Sequence, residues 1–206
     1  MIVQEVIDLS KYSELSGLAI KEDNGAIVAF INMGIMELYK RFPLEIKEIV
    51  VDLEEAKVFY DLPSDFMYPL EAYGEISTEY EEIEAPNIAI NDVDDPLSIF
   101  FPSHNKVQIP SSKLGEHVSI VYVAKPARVS KDNLEAELPI PDSLVEALLF
   151  YIGFRAHTGI RSDQQSQNSI HWIRFDQSCK KARELGVAYP LDSWSMSERI
   201  GNRGFV

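Results

Sequence analysis

The sequence predicts an α+β fold: a helical bundle that carries an inserted antiparallel β meander or small barrel and ends in an extended C-terminal tail. Apolar residues recur at helical spacing in residues 26–42 and again after Asp142. Several short, alternating segments lie between these two regions, and the last residues show no period. Strands that are flanked by helical regions on both sides indicate a helical core with a β-rich insertion.

The domain organisation follows from this pattern. We predict one domain over residues 1–192, with helices in about 8–42 and 142–186 and a β-rich insertion in about 44–124, followed by a tail at 193–206. The chain has 206 residues, of which 46% are hydrophobic and 25% charged. A chain of this length and composition can bury a sizeable core without disulfides.

Two helices are predicted before the insertion. Residues Asp8 to Ser10 are expected to begin a short helix that runs through Ser16. A second helix is predicted over Ala26 to Phe42, where Pro43 ends it. Gly34 lies on its apolar stripe and would allow a close contact with another helix. That stripe consists of Ile27, Phe30, Ile31, Ile35, Leu38 and Phe42.

The insertion is predicted to contain short strands, because apolar and polar residues alternate between turn signals. Residues 102–105 (Pro-Ser-His-Asn) separate two of these segments and indicate a hairpin. The last strand is the clearest, since its side chains alternate between two faces. The predicted strands are Leu44 to Val51, Lys57 to Tyr60, Phe66 to Ala72, Ser98 to Phe101, Lys106 to Ile109 and His117 to Ala124.

A sharply started helix follows the insertion. Pro139 and Pro141 exclude a helix before Asp142, and either Asp142 or Ser143 is a candidate N-cap. The apolar residues that follow recur at helical spacing, which predicts one buried face. That face is marked by Leu144, Leu148, Ile152 and Arg155, with Ala147 and Tyr151 beside them.

A further helix is predicted from Asn168 to Gly186, which would stop it. Its apolar face carries Trp172, Phe175, Cys179 and Ala182. Cys179 is the single cysteine, so an internal disulfide is excluded and a buried thiol is expected. The N-terminus has neither a basic region nor a long apolar run, and no segment reaches the ~20 apolar residues that span a bilayer. We therefore expect a soluble, intracellular protein without a signal peptide or membrane contact.

Charge is distributed unevenly along the chain. Residues 1–150 hold 11 Lys and Arg against 28 Asp and Glu, a net −17, whereas residues 151–206 hold eight against five, a net +3; together they give −14. Binding to phosphates requires a basic face, so such an acidic body argues against wrapping of DNA. A negative wall would instead let DNA pass without adhering. Solubility alone would also explain the charge.

The residues offer little catalytic chemistry. An acidic cluster at Asp92 to Asp95 departs from a calcium loop, since Pro96 takes the fifth position and no glycine takes the sixth. Four histidines are scattered without metal-ligand spacing, and His104 and His157 are expected at the surface. No nucleophile elbow, GxGxxG or Walker loop is present. We therefore predict no catalytic residue, no metal ligand and no cofactor.

The C-terminal tail is rich in the residue types that mediate protein contacts, aromatic residues, methionine and arginine. Two interpretations of the tail stay open on this evidence. In one, it becomes ordered on a neighbouring protein; in the other, it folds back over its own bundle. The candidate docking residues are Trp194, Met196, Arg199, Ile200, Arg203, Phe205 and Val206.

The order of elements resembles a known family. FINMG at 30–34 and LYKRF at 38–42 precede FYDLPSD at 59–65, which is followed by VSIVYVAKP at 118–126 and LPIPDSLVEAL at 138–148. This succession, over about residues 26–186, resembles the head–tail connector (adaptor or neck) proteins of tailed bacteriophages, including the tail-tubular type. The acidic segment from Glu75 to Asp95, which has five glutamates and no basic residue over residues 75–85, has no counterpart in that pattern.

The resemblance implies a non-enzymatic structural protein of the virion neck. It implies a ring, typically dodecameric, that docks beneath the portal protein, contacts a downstream tail or second ring protein, and continues the channel through which genomic DNA passes during ejection without sequence-specific binding. Assembly in the host cytoplasm is expected. The tail would be the segment that reaches the portal.

Two other functions remain open on the sequence alone. The first is a small metal-dependent enzyme with an acidic site around Asp92, Asp94 and His104. The second is a monomeric binding module whose tail covers its own core. Metal-dependent activity would distinguish the first from a ring subunit, and oligomeric state would distinguish the second.

Overall fold

The computed structural model describes residues 1–75, 87–110, 116–158 and 165–186. Over these residues the chain forms four α-helices and two three-stranded antiparallel sheets, which confirms the α+β class. The chain divides into two compact units. The helical unit contains Met1–Leu44 and the described residues from Pro126 onward, and the β unit contains the described residues of Glu45–Lys125.

The helical unit is built around its third helix, which contacts the other three. Leu148 and Ile152 of this helix, and Leu144 directly before it, are fully buried, as the sequence predicted, while Arg155 is only half-buried. Leu144 lies in a single 3₁₀ turn, Asp142–Leu144, that leads into this helix. The four helices are α1 Val3–Tyr12, α2 Asn24–Arg41, α3 Val145–Thr158 and α4 Gln165–Glu184.

The first helix begins five residues earlier than the sequence predicted. The Ile2 amide donates a hydrogen bond of 2.8 Å to Glu5 Oε2, which satisfies an amide at the start of α1. Asp8, the predicted first residue, therefore lies inside the helix. By contrast α2 begins close to its predicted start, because Asp23 Oδ1 accepts a hydrogen bond of 3.0 Å from the Ala26 amide.

The predicted cap of the helix after Asp142 is wrong. Pro141 precedes the 3₁₀ turn, and no side chain caps it. The Asp142 carboxylate lies 3.0 Å from the N-terminal ammonium group of Met1 instead. The last helix also begins earlier than Asn168, at Gln165. Its predicted stop is correct, since Gly186 has a φ of +66°, a left-handed conformation that favours glycine at a helix C-terminus.

Gly34 provides the close helix contact that its place on the stripe predicted. A Cβ atom there would overlap Leu148 Cδ1 and lie 3.0 Å from Tyr151 Cδ1. Gly34→Ala should therefore destabilise the helical unit by about 1–3 kcal/mol through overpacking. Urea denaturation followed by circular dichroism measures this, and Gly17→Ala is the matched control, because no atom lies within 4 Å of that Cβ position. Equal midpoints for the two variants would contradict the close contact.

The β unit contains two sheets that share one hydrophobic core. The strands are β1 Ile46–Asp52, β2 Phe59–Asp61, β3 Phe66–Glu75, β4 Phe100–Ser103, β5 Lys106–Gln108 and β6 His117–Ala124. The sheet orders are β1-β6-β3 and β2-β5-β4. In the first sheet β6 is the central strand, and its Ile120 lies opposite Ile49 of β1 and Ala72 of β3.

Two strand predictions are confirmed closely. The hairpin around His104 joins β4 and β5, which pair antiparallel. The last strand has the bounds that alternation predicted, but Val118 through Ala124 are all buried, so neither of its faces is solvated. Ser119 is a polar residue among them, and its hydroxyl donates a hydrogen bond to Glu48.

Candidate functional site

The predicted docking tail lies outside the described residues. The structure therefore gives no account of the seven candidate residues, Trp194, Met196, Arg199, Ile200, Arg203, Phe205 and Val206. Their role as a docking segment stays a prediction from sequence. The surfaces described below belong to the two units individually.

The alternative acidic site does not assemble in the part of the chain that the structure describes. Asp92 Oδ1 accepts a hydrogen bond of 3.0 Å from the Asp94 amide, and Asp95 Oδ1 accepts one of 2.8 Å from Leu97. These carboxylates therefore stabilise a turn, while His104 is exposed in the β4–β5 hairpin. Within the described ranges, no group of three or more His, Cys, Asp or Glu side chains could hold a metal ion.

Other carboxylates near the predicted strands form structural ion pairs. Asp65 Oδ2 lies 2.7 Å from Lys47 Nζ, and Asp65 Oδ1 accepts a hydrogen bond of 3.2 Å from the Tyr122 hydroxyl. The Lys47 hydrogen bond lowers the pKa of Asp65 below its usual value. Asp61 similarly lies 3.1 Å from Lys106 Nζ. These contacts hold strands and loops of the β unit together.

Acidic side chains are concentrated in the β unit. Residues 45–125 hold 17 Asp and Glu against five Lys and Arg, a net −12, whereas the remainder of the chain holds 16 against 14, a net −2. On the first sheet, Glu48 accepts a hydrogen bond from Ser119 and Asp52 Oδ1 lies 2.6 Å from His117 Nδ1. The acidic character of the whole chain is therefore a property of the β unit.

A groove runs along α2 in the helical unit. It has a volume of about 490 Å³ and lies between one face of α2 and the segment that starts at Pro126. The helix contributes residues at positions i, i+4, i+7 and i+11, which share a face. The lining residues used below are Ala29, Met33, Met36, Lys40 and Arg128, with Tyr151 also in the wall.

A stripe of residues on the outward face of α1, the α1 stripe, carries acidic side chains. Glu5, Asp8, Leu9 and Tyr12 fall at positions i, i+3, i+4 and i+7 and therefore share one face. The other face of the helix is buried through Val3, Val6, Ile7 and Ser10. Leu9 is 43% exposed and Tyr12 is 87% exposed. The stripe thus presents two large apolar side chains beside two carboxylates.

Arg41 joins α2 to α4, a contact that sequence reasoning missed. Its Nη1 lies 2.9 Å from Asp176 Oδ1, and its guanidinium carbon lies 4.5 Å from the centre of the Phe175 ring. The Arg41 hydrogen bond lowers the pKa of Asp176. Trp172 contacts the same ring and is half-exposed, so the predicted apolar face of α4 is partly a surface feature.

Two histidines are buried together, contrary to the prediction that His157 lies at the surface. The rings of His157 and His171 stack with centroids 4.8 Å apart. Glu14 Oε2 lies 2.9 Å from His171 Nδ1, outside hydrogen-bond geometry, and His157 Nδ1 has no hydrogen-bond partner among the described residues. Only the packing of α4 on α3 brings the pair together, so no local pattern in the sequence signals it.

A protein-family model matches most of the chain. The model described as SU10 adaptor protein matches residues 3–197, which covers both units. No curated protein matches the chain. Within the described residues, none of the helices is both long and apolar enough to cross a membrane.

Proposed function

We propose that this chain, which belongs to the SU10 adaptor protein family of phage head–tail adaptors, is one subunit of a ring that joins the capsid portal to the tail. In this ring the subunits surround a channel that continues the portal channel and conducts the genome during ejection. The ring is most simply a dodecamer. It contacts the portal on one side and a tail protein or second ring on the other.

The observation that carries the proposal is the extent of the family match. It covers residues 3–197 and therefore both the helical unit and the inserted β unit. Membership of a phage adaptor family supports a structural role in the virion neck and contact with other head or tail proteins. Ring formation, the number of subunits and assembly in the host cytoplasm are parts of the proposal that go beyond family membership.

Charge supports the passage of DNA without binding. The β unit carries a net −12 over residues 45–125, and a protein that neutralises phosphates needs a basic face. Carboxylates along the channel would repel the DNA backbone and keep the duplex from adhering to the wall. The fixed pairs that Glu48 and Asp52 make with Ser119 and His117 give this acidic surface a defined arrangement.

The tail is the segment that we assign to the portal. It combines apolar and aromatic side chains with Arg199 and Arg203, a composition typical of interface centres. The chain beyond Asp192 has the length to extend from the helical unit as a peptide that becomes ordered on a partner. The docking residues are the seven named above, from Trp194 to Val206.

Sedimentation of the purified protein, alone and mixed with the portal protein of the same phage, tests the proposal. A ring subunit should sediment with the portal as a complex that contains many copies per portal ring. A monomer of 23.3 kDa that does not associate with the portal at any ratio would favour the monomeric binding module instead. Adding and removing divalent metal ions in the same experiment also tests the enzyme alternative, which predicts metal-dependent stabilisation.

A further inference from the structure

We propose that the α1 stripe of one copy lies in the α2 groove of the next copy, and that this contact joins neighbouring subunits in the ring. The inference rests on the proposed function, because it presupposes a ring. Beyond the ring itself, it specifies which two surfaces of neighbouring subunits meet and in which orientation. A second copy of this chain is therefore the occupant of the groove.

The stripe has the features of a helix that packs on a partner. Leu9 and Tyr12 project from the face opposite the buried one, and Tyr12 is 87% exposed. A tyrosine combines a large apolar ring with a polar end and is among the residues enriched where binding energy is concentrated. Both side chains lie one helical turn apart, the spacing with which an amphipathic helix enters a groove.

The groove supplies a matching apolar surface. Met33 is 45% exposed, and Met36 and Ala29 lie on the same face of α2. Methionine is flexible and polarisable, and its sulfur contacts aromatic rings favourably, so a pair of methionines suits the ring of a tyrosine. The small side chain of Ala29 lets a second helix approach closely at one end of the groove.

Charge distinguishes this pairing from a contact between two identical surfaces. Glu5 and Asp8 are the charged residues of the stripe, whereas the wall of the groove contains Lys40 and Arg128 together with Glu37, a net charge of +1. Arg128 is exposed and forms no ion pair with another described residue, and Lys40 pairs only with Glu37, at 3.4 Å. Opposite charges thus lie beside the apolar residues of both surfaces, which favours the stripe-to-groove orientation.

Symmetry makes the contact suitable for a ring. The stripe and the groove share no residue, so each copy can use both at once. A contact between two different surfaces of the same protein is heterologous, and repetition of it closes into a ring when the rotation allows. Two stripes or two grooves facing each other would instead give an isologous dimer with like charges opposed.

Disulfide trapping between two variants that each carry one introduced cysteine tests the contact. Tyr12→Cys and Met33→Cys proteins are mixed, assembled with portal protein and oxidised gently. The native Cys179 does not interfere, because it is buried and burial raises the pKa of its thiol to about 11. We expect a disulfide-linked dimer in the mixture and only monomers from either variant alone on a non-reducing gel.

A matched control uses Val93→Cys with Met33→Cys, since Val93 is equally accessible to oxidants but belongs to the β unit. Dimers in this control at the same rate would show unspecific collision and overturn the inference. Dimers from Tyr12→Cys alone would do so as well, because they indicate packing of α1 on itself. Rings that form on the portal without a Tyr12–Met33 link overturn the inference but leave the proposed function intact. Failure to form any ring overturns both.

Charge reversal gives an independent measurement. Arg128→Glu places a carboxylate opposite those of the stripe and should cause loss of rings, whereas the double variant Asp8→Arg with Arg128→Glu should recover them. Arg128 is exposed, whereas Asp8 is half-buried and accepts a hydrogen bond of 2.9 Å from Gln4 Nε2. A melting curve of each variant therefore verifies that folding is intact. A double variant that assembles no better than Arg128→Glu would contradict the pairing.

Discussion

Leu148→Asp is expected to abolish cooperative folding of the helical unit. Leu148 is fully buried on α3 and lies against Gly34 of α2. Removal of a buried leucine side chain costs about 2–5 kcal/mol, and an aspartate there adds the cost of a buried charge without a partner. Because the free energy of unfolding of a domain is typically about 5–15 kcal/mol, this single change should remove most of it.

Circular dichroism melting measures the effect, and Ile173→Asp is the matched control. Ile173 is an exposed apolar residue of α4, so a carboxylate at that position remains solvated and the melting curve should be unchanged. A normal cooperative transition for Leu148→Asp would mean that the buried face of α3 has been assigned incorrectly. Loss of the transition in both variants would mean that α4 tolerates no change and that burial does not explain the result.

Truncation after Asp192 is expected to abolish portal association without unfolding the protein. The truncated chain keeps every residue that the structure describes, and the buried cores of both units lie within those residues. It loses all seven predicted docking residues at once. Interface energy is concentrated in a few aromatic and arginine side chains, so their removal should reduce portal binding by several orders of magnitude.

Co-sedimentation with portal protein, together with a melting curve, separates the two possible roles of the tail. The full-length variant Trp194→Ser with Phe205→Ser is the control, because it keeps the length of the tail and removes two aromatic anchors. Weak portal binding with an unchanged melting temperature is the expected result for both proteins. An unfolded truncation product would show that the tail belongs to the core, and retained binding would show that another surface docks.

Local signals in the sequence predicted the elements whose boundaries are set by nearby residues. The strand His117–Ala124 was predicted from alternation alone and has the same bounds in the structure. Pro43 ends α2 and Gly186 ends α4, as their backbone preferences require. The buried positions of α3 also followed from helical spacing, since packing selects one face of an amphipathic helix.

Contacts between distant residues could not be predicted in the same way. Arg41 and Asp176 are 135 residues apart, and the pairing that links α2 to α4 leaves no local pattern. His157 was predicted at the surface from its place near a helix end, but packing against His171 buries it. The position of β6 between β1 and β3 also depends on tertiary pairing rather than on chain order.

Among the candidate surfaces, the sequence indicated the tail but neither the α1 stripe nor the α2 groove. The α1 stripe could not be recognised because the helix was predicted to start at Asp8, which left Glu5 outside it. The α2 groove needs the segment after Pro126 as its second wall, and that segment lies far along the chain. The tail was singled out by composition alone, and its role as a docking segment stays a prediction.

The most direct test of the account is electron microscopy of negatively stained protein mixed with the portal of the same phage. The account predicts a closed ring, coaxial with the portal and beneath it, with an open central channel. Portal rings that remain undecorated beside scattered monomers would contradict the central claim that this adaptor forms a ring between head and tail.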